Sequence, residues 1–195
     1  MTRETAAVVS AAALSAAAGV GGLAYYLTVT GKLTADTGWG RRVRPLGPFS
    51  IDIAVPVGTV FDVIAIPYSG RTPRAMADKL RVLERGTDVL LAEHYSRVHG
   101  GRLTTTTVET VIFDRPRWVS FRLVRGAVQR VAEEFSLSER GGTTTLAYAG
   151  ELGTDFSAAG TWWASKVAPA WEAAVRGSLA SIKDEAERRS GHRGG

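Results

Sequence analysis

WWASKVAPAWEAAVRGSLASIKDEAERR, residues 162–189, is the stretch whose reading decides the fold. Val167, Trp171, Val175, Leu179, Ile182 and Ala186 recur three or four residues apart, while Lys166, Glu172, Arg176, Lys183 and Glu187 take the opposite face. That spacing predicts a long amphipathic helix. One apolar helix face needs one apolar sheet face to cover it. Pro169 is expected near the helix start, as its first turn or as a kink. Residues 190–195 are too polar and glycine-rich to pack.

Upstream of the helix, Gly, Pro and Asp divide the chain between Leu80 and Leu152 into runs of strand length. The breaks fall at Gly86, Gly100-Gly101, Asp114-Arg115-Pro116, Gly126 and Gly141-Gly142. The runs are rich in Val, Thr, Phe, Tyr and Trp, which suit a pleated sheet. Their short separations imply antiparallel neighbours, because a parallel crossover needs a dozen or more residues. Further upstream, Phe49, Ile51, Ile53 and Val55 alternate with Ser50, Asp52 and Ala54, the period of a half-buried strand. Val57, Val60, Phe61 and Ile64 then switch to helical spacing, and Pro67 stops the run. A second short helix is expected over 73–79.

The chain has 195 residues, 45% of them hydrophobic and 22% charged, as in an ordinary globular domain rather than a disordered one. The net charge of +5 is thinly spread. A basic face interleaved with stacking aromatics is missing, so nucleic acid is not an expected partner. The absence of cysteine excludes thiol nucleophiles and thiolate metal sites. The three histidines, His94, His99 and His192, share no metal-binding spacing, so no metal is expected. No serine elbow or phosphate-binding glycine loop is present, and no cofactor is called for.

From Thr5 to Gly31 the chain carries no charged side chain. About 20 helical residues cross a hydrocarbon core, so residues 5–29 are expected to form a transmembrane helix or uncleaved signal anchor, with Tyr25 and Tyr26 at the interface. A cleaved signal peptide and a soluble Ala-rich segment are the alternatives. Lys32, Arg41, Arg42 and Arg44 outnumber Arg3, which puts the domain on the cytoplasmic side. Residues 30–47 read as a linker, 48–189 as the domain and 190–195 as a disordered tail.

The order strand, one or two helices, six antiparallel strands and a long last helix resembles the START-like (SRPBCC) superfamily, which includes polyketide cyclases and lipid-transfer domains. Four passages carry the resemblance: FSIDIAVPVGTVFDVIA (49–65), ETVIFDRPRWVSFRLVRG (109–126), GGTTTLAYAGELG (141–153) and the helix quoted above. It implies an α+β helix-grip fold, a seven-stranded antiparallel sheet wrapped around the C-terminal helix with a ligand cavity between them.

Strand alternation selects the residues facing that cavity. Glu133 shares a face with Val131, Phe135 and Leu137, and a carboxylate there is costly to bury unless paired or protonated. A bulge that turns Glu133 to solvent is the alternative. Tyr148 shares a face with Leu146 and Leu152. Phe121, Phe135, Trp163, Val167 and Trp171 are expected to line the cavity, or to fill the core. His94 is a candidate proton carrier or a structural histidine. Glu109 is expected at the surface or in an ion pair. Trp162 must point away from Trp163, toward a membrane. A structural or regulatory domain that docks a partner, its interior filled by side chains, is one reading, and two further functions compete. One is a membrane-anchored binding or transfer module for a hydrophobic small molecule (lipid, quinone or polyketide-like). The other is a cyclase/aromatase- or dehydratase-like enzyme that uses Glu133, Tyr148 or His94 as acid and base, provided that at least two of them converge.

Overall fold

The structure is a computed structural model, and it describes residues 19–70, 78–98 and 100–191. Residues 19–29 are helical (α1) and lead through an extended segment into strand β1, Arg42–Ile53. Helix α2, Val57–Ala65, and a single 3-10 turn, Ile66–Tyr68, follow. The chain then runs through β2 (Leu80–Arg85), β3 (Val89–Val98), β4 (Leu103–Asp114), β5 (Trp118–Arg125), β6 (Arg130–Arg140) and β7 (Thr143–Thr154) into helix α3, Ser157–Gly191. All the pairings are antiparallel and the strand order is β1-β7-β6-β5-β4-β3-β2. The short helix expected over 73–79 falls largely outside the described residues, as do His99 and His192.

Alternation along the strands builds one apolar face. Ile53, Val111, Val119, Leu146 and Leu152 are fully buried on it, each contributing about 1.5–3 kcal/mol relative to exposure. Helix α3 lays Ala164, Ala168, Val175, Leu179 and Ala186 against that face. The small alanines let the helix approach β1 and β7 closely. Pro169 lies well inside α3 with an exposed ring, not at the helix start. Its missing N–H falls on the solvent side, where water satisfies the carbonyl one turn back, so the helix continues.

Helix α2 begins at Pro56 with no side-chain cap of its own. The carboxylate of Glu139 on β6 accepts from Val57 N–H at 2.8 Å, placing negative charge at the positive end of α2. The Thr144 hydroxyl donates to Val55 O at 2.7 Å and locks the strand that leads into it.

Residues 30–47, expected to be a linker, are laid against the domain, and the last six of them already belong to β1. The Thr34 hydroxyl donates to Gly126 O at 2.6 Å, and Thr106 N–H donates to Thr30 O at 3.1 Å. Gly31 has φ +68°, and a Cβ there would meet Thr106 O at 2.0 Å, so only glycine permits this approach. Asp155, at the end of β7, is closed to solvent and accepts from Thr37 N–H, Gly38 N–H and Arg41 Nε, each at 2.7 Å. Composition could not reveal this docking, because the partners of Thr34, Thr37 and Arg41 lie about ninety to a hundred and twenty residues away in the chain.

Among the described residues, no helix is long and apolar enough to cross a membrane. Most of the 5–29 segment lies outside the described residues. In its described part, 19–29, residues 19–26 are exposed, Leu27 and Thr28 are half-buried and Val29 is buried.

Candidate functional site

Three neighbouring strands and α3 converge on one carboxylate. Glu133 stands on the inner face of β6, opposite Phe121 of β5 and Gly150 of β7. Its Oε2 accepts a hydrogen bond from the Tyr148 hydroxyl at 2.7 Å and from Trp171 Nε1 at 2.9 Å. A Cβ on Gly150 would lie 2.9 Å from the Glu133 Cβ and 3.1 Å from the Tyr148 hydroxyl, so glycine makes room for the pair. Burial pushes the Glu133 carboxyl up to about 7, and the nearby Glu109 carboxylate pushes in the same direction. The bonds from Trp171 and Tyr148 and the proximity of His94 restrain the rise. Burial and the Glu133 carboxylate raise the Tyr148 phenol, which stays a neutral donor.

A second cluster continues across β3 and β4. Glu109 is 5% exposed, on the inner face with Val111. The unbroken β3–β4 register puts Glu109 opposite the buried Ala92, and the register shift at Val108/Glu109 against β5 skips a residue of β5. His94 Nδ1 lies 3.0 Å from Glu109 Oε2 but off the N–H direction, so it forms a charge contact and not a hydrogen bond. Its Nε2 is 2.9 Å from the Tyr68 hydroxyl. Burial raises the Tyr68 phenol well above 10, with Glu109 and Glu133 adding to it. Aromatic rings link the two clusters: Tyr68 to Phe121 at 6.2 Å, Phe121 to Phe135 at 5.8 Å, and Phe135 to Tyr148 at 5.3 Å between centroids.

Tyr68 also forms part of the wall of a cavity of about 410 Å³, with Phe61, Ala65, Leu90, Phe113 and Arg115 around it. That volume falls in the range that accommodates a small molecule. A second cavity, of about 210 Å³, lies at the opposite end between Leu33, Phe156 and Trp163. Neither cavity is lined by Glu133, Tyr148 or Trp171. Trp171 reaches from α3 to Glu133 and spans the gap there, so the open volume lies nearer α2 and the β2–β3 hairpin.

No protein-family model and no curated protein sequence matches the chain. Solved structures do. The ZhuI aromatase/cyclase from Streptomyces sp. R1128 is 17% identical with a TM-score of 0.60, covering 76% of this chain and 96% of its own. Norcoclaurine synthase from Thalictrum flavum is 10% identical with a TM-score of 0.57, covering 77% and 88%. Ara h 8.0201 is 13% identical with a TM-score of 0.56, covering 75% and 98%. The chain has the helix-grip fold of the START-like proteins.

Within that helix-grip frame the expected residues separate into groups. Glu133, Tyr148, Phe121, Phe135 and Trp171 come together around the carboxylate, and His94 joins them through Phe121 at 6.2 Å. Trp163 stands apart: its indole donates to Ala127 O at 2.7 Å and its ring meets Tyr25 edge-on. Val167 packs against the core beside it. One residue escaped the sequence reading and one was read in part. Glu109, expected at the surface or in an ion pair, is buried and lies 3.0 Å from His94 Nδ1, on the face that its alternation with Val111 marks. Tyr68 follows Pro67, read as the end of a helix. The 3-10 turn instead carries the chain one step further and folds Tyr68 back over the sheet.

Among the described residues, no group of three or more acidic or histidine side chains is arranged to hold a metal ion. The helix-grip interior therefore offers a near-neutral carboxyl, two phenols, an indole N–H and an imidazole. These groups can orient a carbonyl or phenol, and Glu133 can take or give a proton near neutral pH.

Proposed function

We propose that this chain is a membrane-anchored binding or transfer module for an apolar, ring-containing small molecule bearing a carbonyl or hydroxyl group. One observation carries the reading. An open pocket of about 410 Å³, lined by Phe61, Tyr68 and Phe113 together with Arg85, Asp88 and Arg115, shares Tyr68 with an interior array of His94, Glu109, Glu133 and Tyr148. Apolar walls supply the affinity and a few convergent polar groups fix the orientation. That an aromatase/cyclase and norcoclaurine synthase share the fold supports this class of ligand. The uncharged stretch 5–31 supports the anchor, and the excess of Lys and Arg after it supports a cytoplasmic domain.

The test is native mass spectrometry with organic extraction on the detergent-solubilised full chain. One apolar molecule per chain is expected. Ala65→Trp, which fills the cavity, is expected to abolish its retention while circular dichroism stays unchanged. A folded but empty wild-type chain, or undiminished retention in Ala65→Trp, counts against the reading.

A second reading, acid-base catalysis on a polycarbonyl substrate, is favoured by the carboxyl of Glu133 near 7 with two donors on one oxygen. It predicts turnover with a pH limb near 7 that disappears in Glu133→Gln. Turnover with an unaltered limb would remove Glu133 from the chemistry.

A further inference from the structure

We infer that Trp39, Phe156 and Trp162, together with α1, form a face that seats the domain directly on an anionic bilayer and does not leave it tethered at a distance. The inference rests on the membrane-anchored reading above.

Helix α1 is uncharged, and residues 19–26 are exposed on every side. The helix continues the uncharged stretch that begins at Thr5, and an uncharged segment of that length suits a bilayer. Around its foot the domain exposes large apolar side chains in two groups, whose Phe156 and Trp163 line the same cavity of about 210 Å³. Trp39 is 69% exposed and its ring lies 6.2 Å from Phe156, which is itself exposed. Trp162 is 61% exposed and 6.3 Å from Trp163, whose ring meets Tyr25 of α1 at 6.1 Å.

This arrangement is held and not incidental. Phe156 has φ 68° and Ser157 φ 50°, a region that non-glycine residues rarely adopt. Phe156 N–H donates to Trp39 O at 2.8 Å and Ser157 N–H to Gly40 O at 3.0 Å. These bonds, with Asp155 gripping Thr37, Gly38 and Arg41, fix the 37–41 loop beside the start of α3. The docking of the 30–41 segment thus sets two tryptophans from distant parts of the sequence on the side from which the anchor emerges.

The charges fit an anionic surface. Lys32 lies over the Tyr26 ring at 5.5 Å and Lys166 over the Trp162 ring at 6.0 Å. The acidic groups nearby, Asp36 and Asp155, are both engaged by Arg41. Amphipathic rings flanked by lysines favour the headgroup region, and lysine adds attraction to anionic lipid.

The full chain is reconstituted by detergent removal into vesicles of phosphatidylcholine and phosphatidylglycerol, with and without acyl-chain bromination. Bromolipid is expected to quench part of the tryptophan emission. Trp39→Phe/Trp162→Phe is expected to remove most of the quenchable part, leaving a smaller part from the half-buried Trp163 and none from Trp118 and Trp171. Lys32→Glu/Lys166→Glu is expected to weaken quenching in anionic vesicles only. A chain that floats with the vesicles but whose quenching is the same in the double tryptophan variant overturns the seating. A chain that does not float at all overturns the anchored reading, and the seating with it. Protection of the two tryptophans by a dimer in detergent, without quenching in vesicles, assigns the face to a second copy and overturns the inference.

Discussion

Asp155 and Glu133 are two inward-facing carboxylates that the molecule treats in opposite ways. Asp155 is surrounded by donors: two backbone N–H groups, the Thr37 hydroxyl and a guanidinium. The bond from Arg41 holds its carboxyl well below the ordinary value, so the charge persists and acts as a clamp. Glu133 has no cation bonded to it, only a phenol and an indole, and Glu109 lies nearby. Burial therefore drives it toward the neutral form. A carboxylate met by a full set of donors builds structure. One left short of donors stores a proton near neutral pH, which is useful for binding or chemistry and costly for stability.

Four measurements sharpen that contrast. The largest effect is expected from Asp155→Ala, which strands Arg41 and releases the 30–41 segment. Urea denaturation should register a loss of about 3 kcal/mol. The pH dependence has a definite sign, because a depressed folded value contributes stability above the ordinary carboxylate range. The contribution of Asp155 is present at neutral pH and fades as pH falls below about 4. A variant that unfolds like the wild type would break the clamp account.

Glu133 has the reverse sign. Its folded value of about 7 lies above the ordinary 4.5, so the folded state binds the proton more tightly and loses stability as pH rises between them. Glu133→Gln keeps an acceptor for Tyr148 and Trp171 and removes the titration. Its stability relative to wild type is expected to improve from pH 4 to pH 8 by on the order of 2 kcal/mol. A parallel pH profile for the two chains would overturn the assignment.

Trp171→Phe removes one donor that holds the Glu133 value down. The carboxyl resonance, followed by carbon NMR, should titrate above 7, with a stability loss of about 1 kcal/mol. No movement of the midpoint would mean that Trp171 only fills space. The smallest effect is expected from Trp162→Ala, because the ring is mostly exposed. Detergent-solubilised stability should stay within about 0.5 kcal/mol of wild type.

Local pattern made much of the architecture legible. Period-two alternation marks Phe49, Ile51 and Ile53 on β1, and the three-four spacing of Trp171, Val175 and Leu179 marks α3. Glu133 and Tyr148 could be selected because each shares a strand face with apolar neighbours, and β6 and β7 are long enough to define that face. Glu109 was left between the surface and an ion pair, although its alternation with Val111 on β4 marks the inner face. Tyr68 was missed because a proline ahead of it reads as a stop signal, although the turn simply continues past it.

The 30–47 segment marks the limit of such reading. Its glycines, threonines and charges have the composition of a spacer, yet Thr34, Thr37 and Arg41 are bound to partners on β7 and the β5–β6 turn. Periodicity reports which side of an element is apolar, since that depends only on neighbours three, four or two residues away. It therefore specifies a helix and a sheet that must cover each other. The direction in which Trp171 reaches, the side on which the cavity opens and the contents of each carboxylate's shell depend on residues brought together from across the whole chain. Only the packed structure assembles those donors and acceptors, and their number decides that Asp155 stays charged while Glu133 holds its proton.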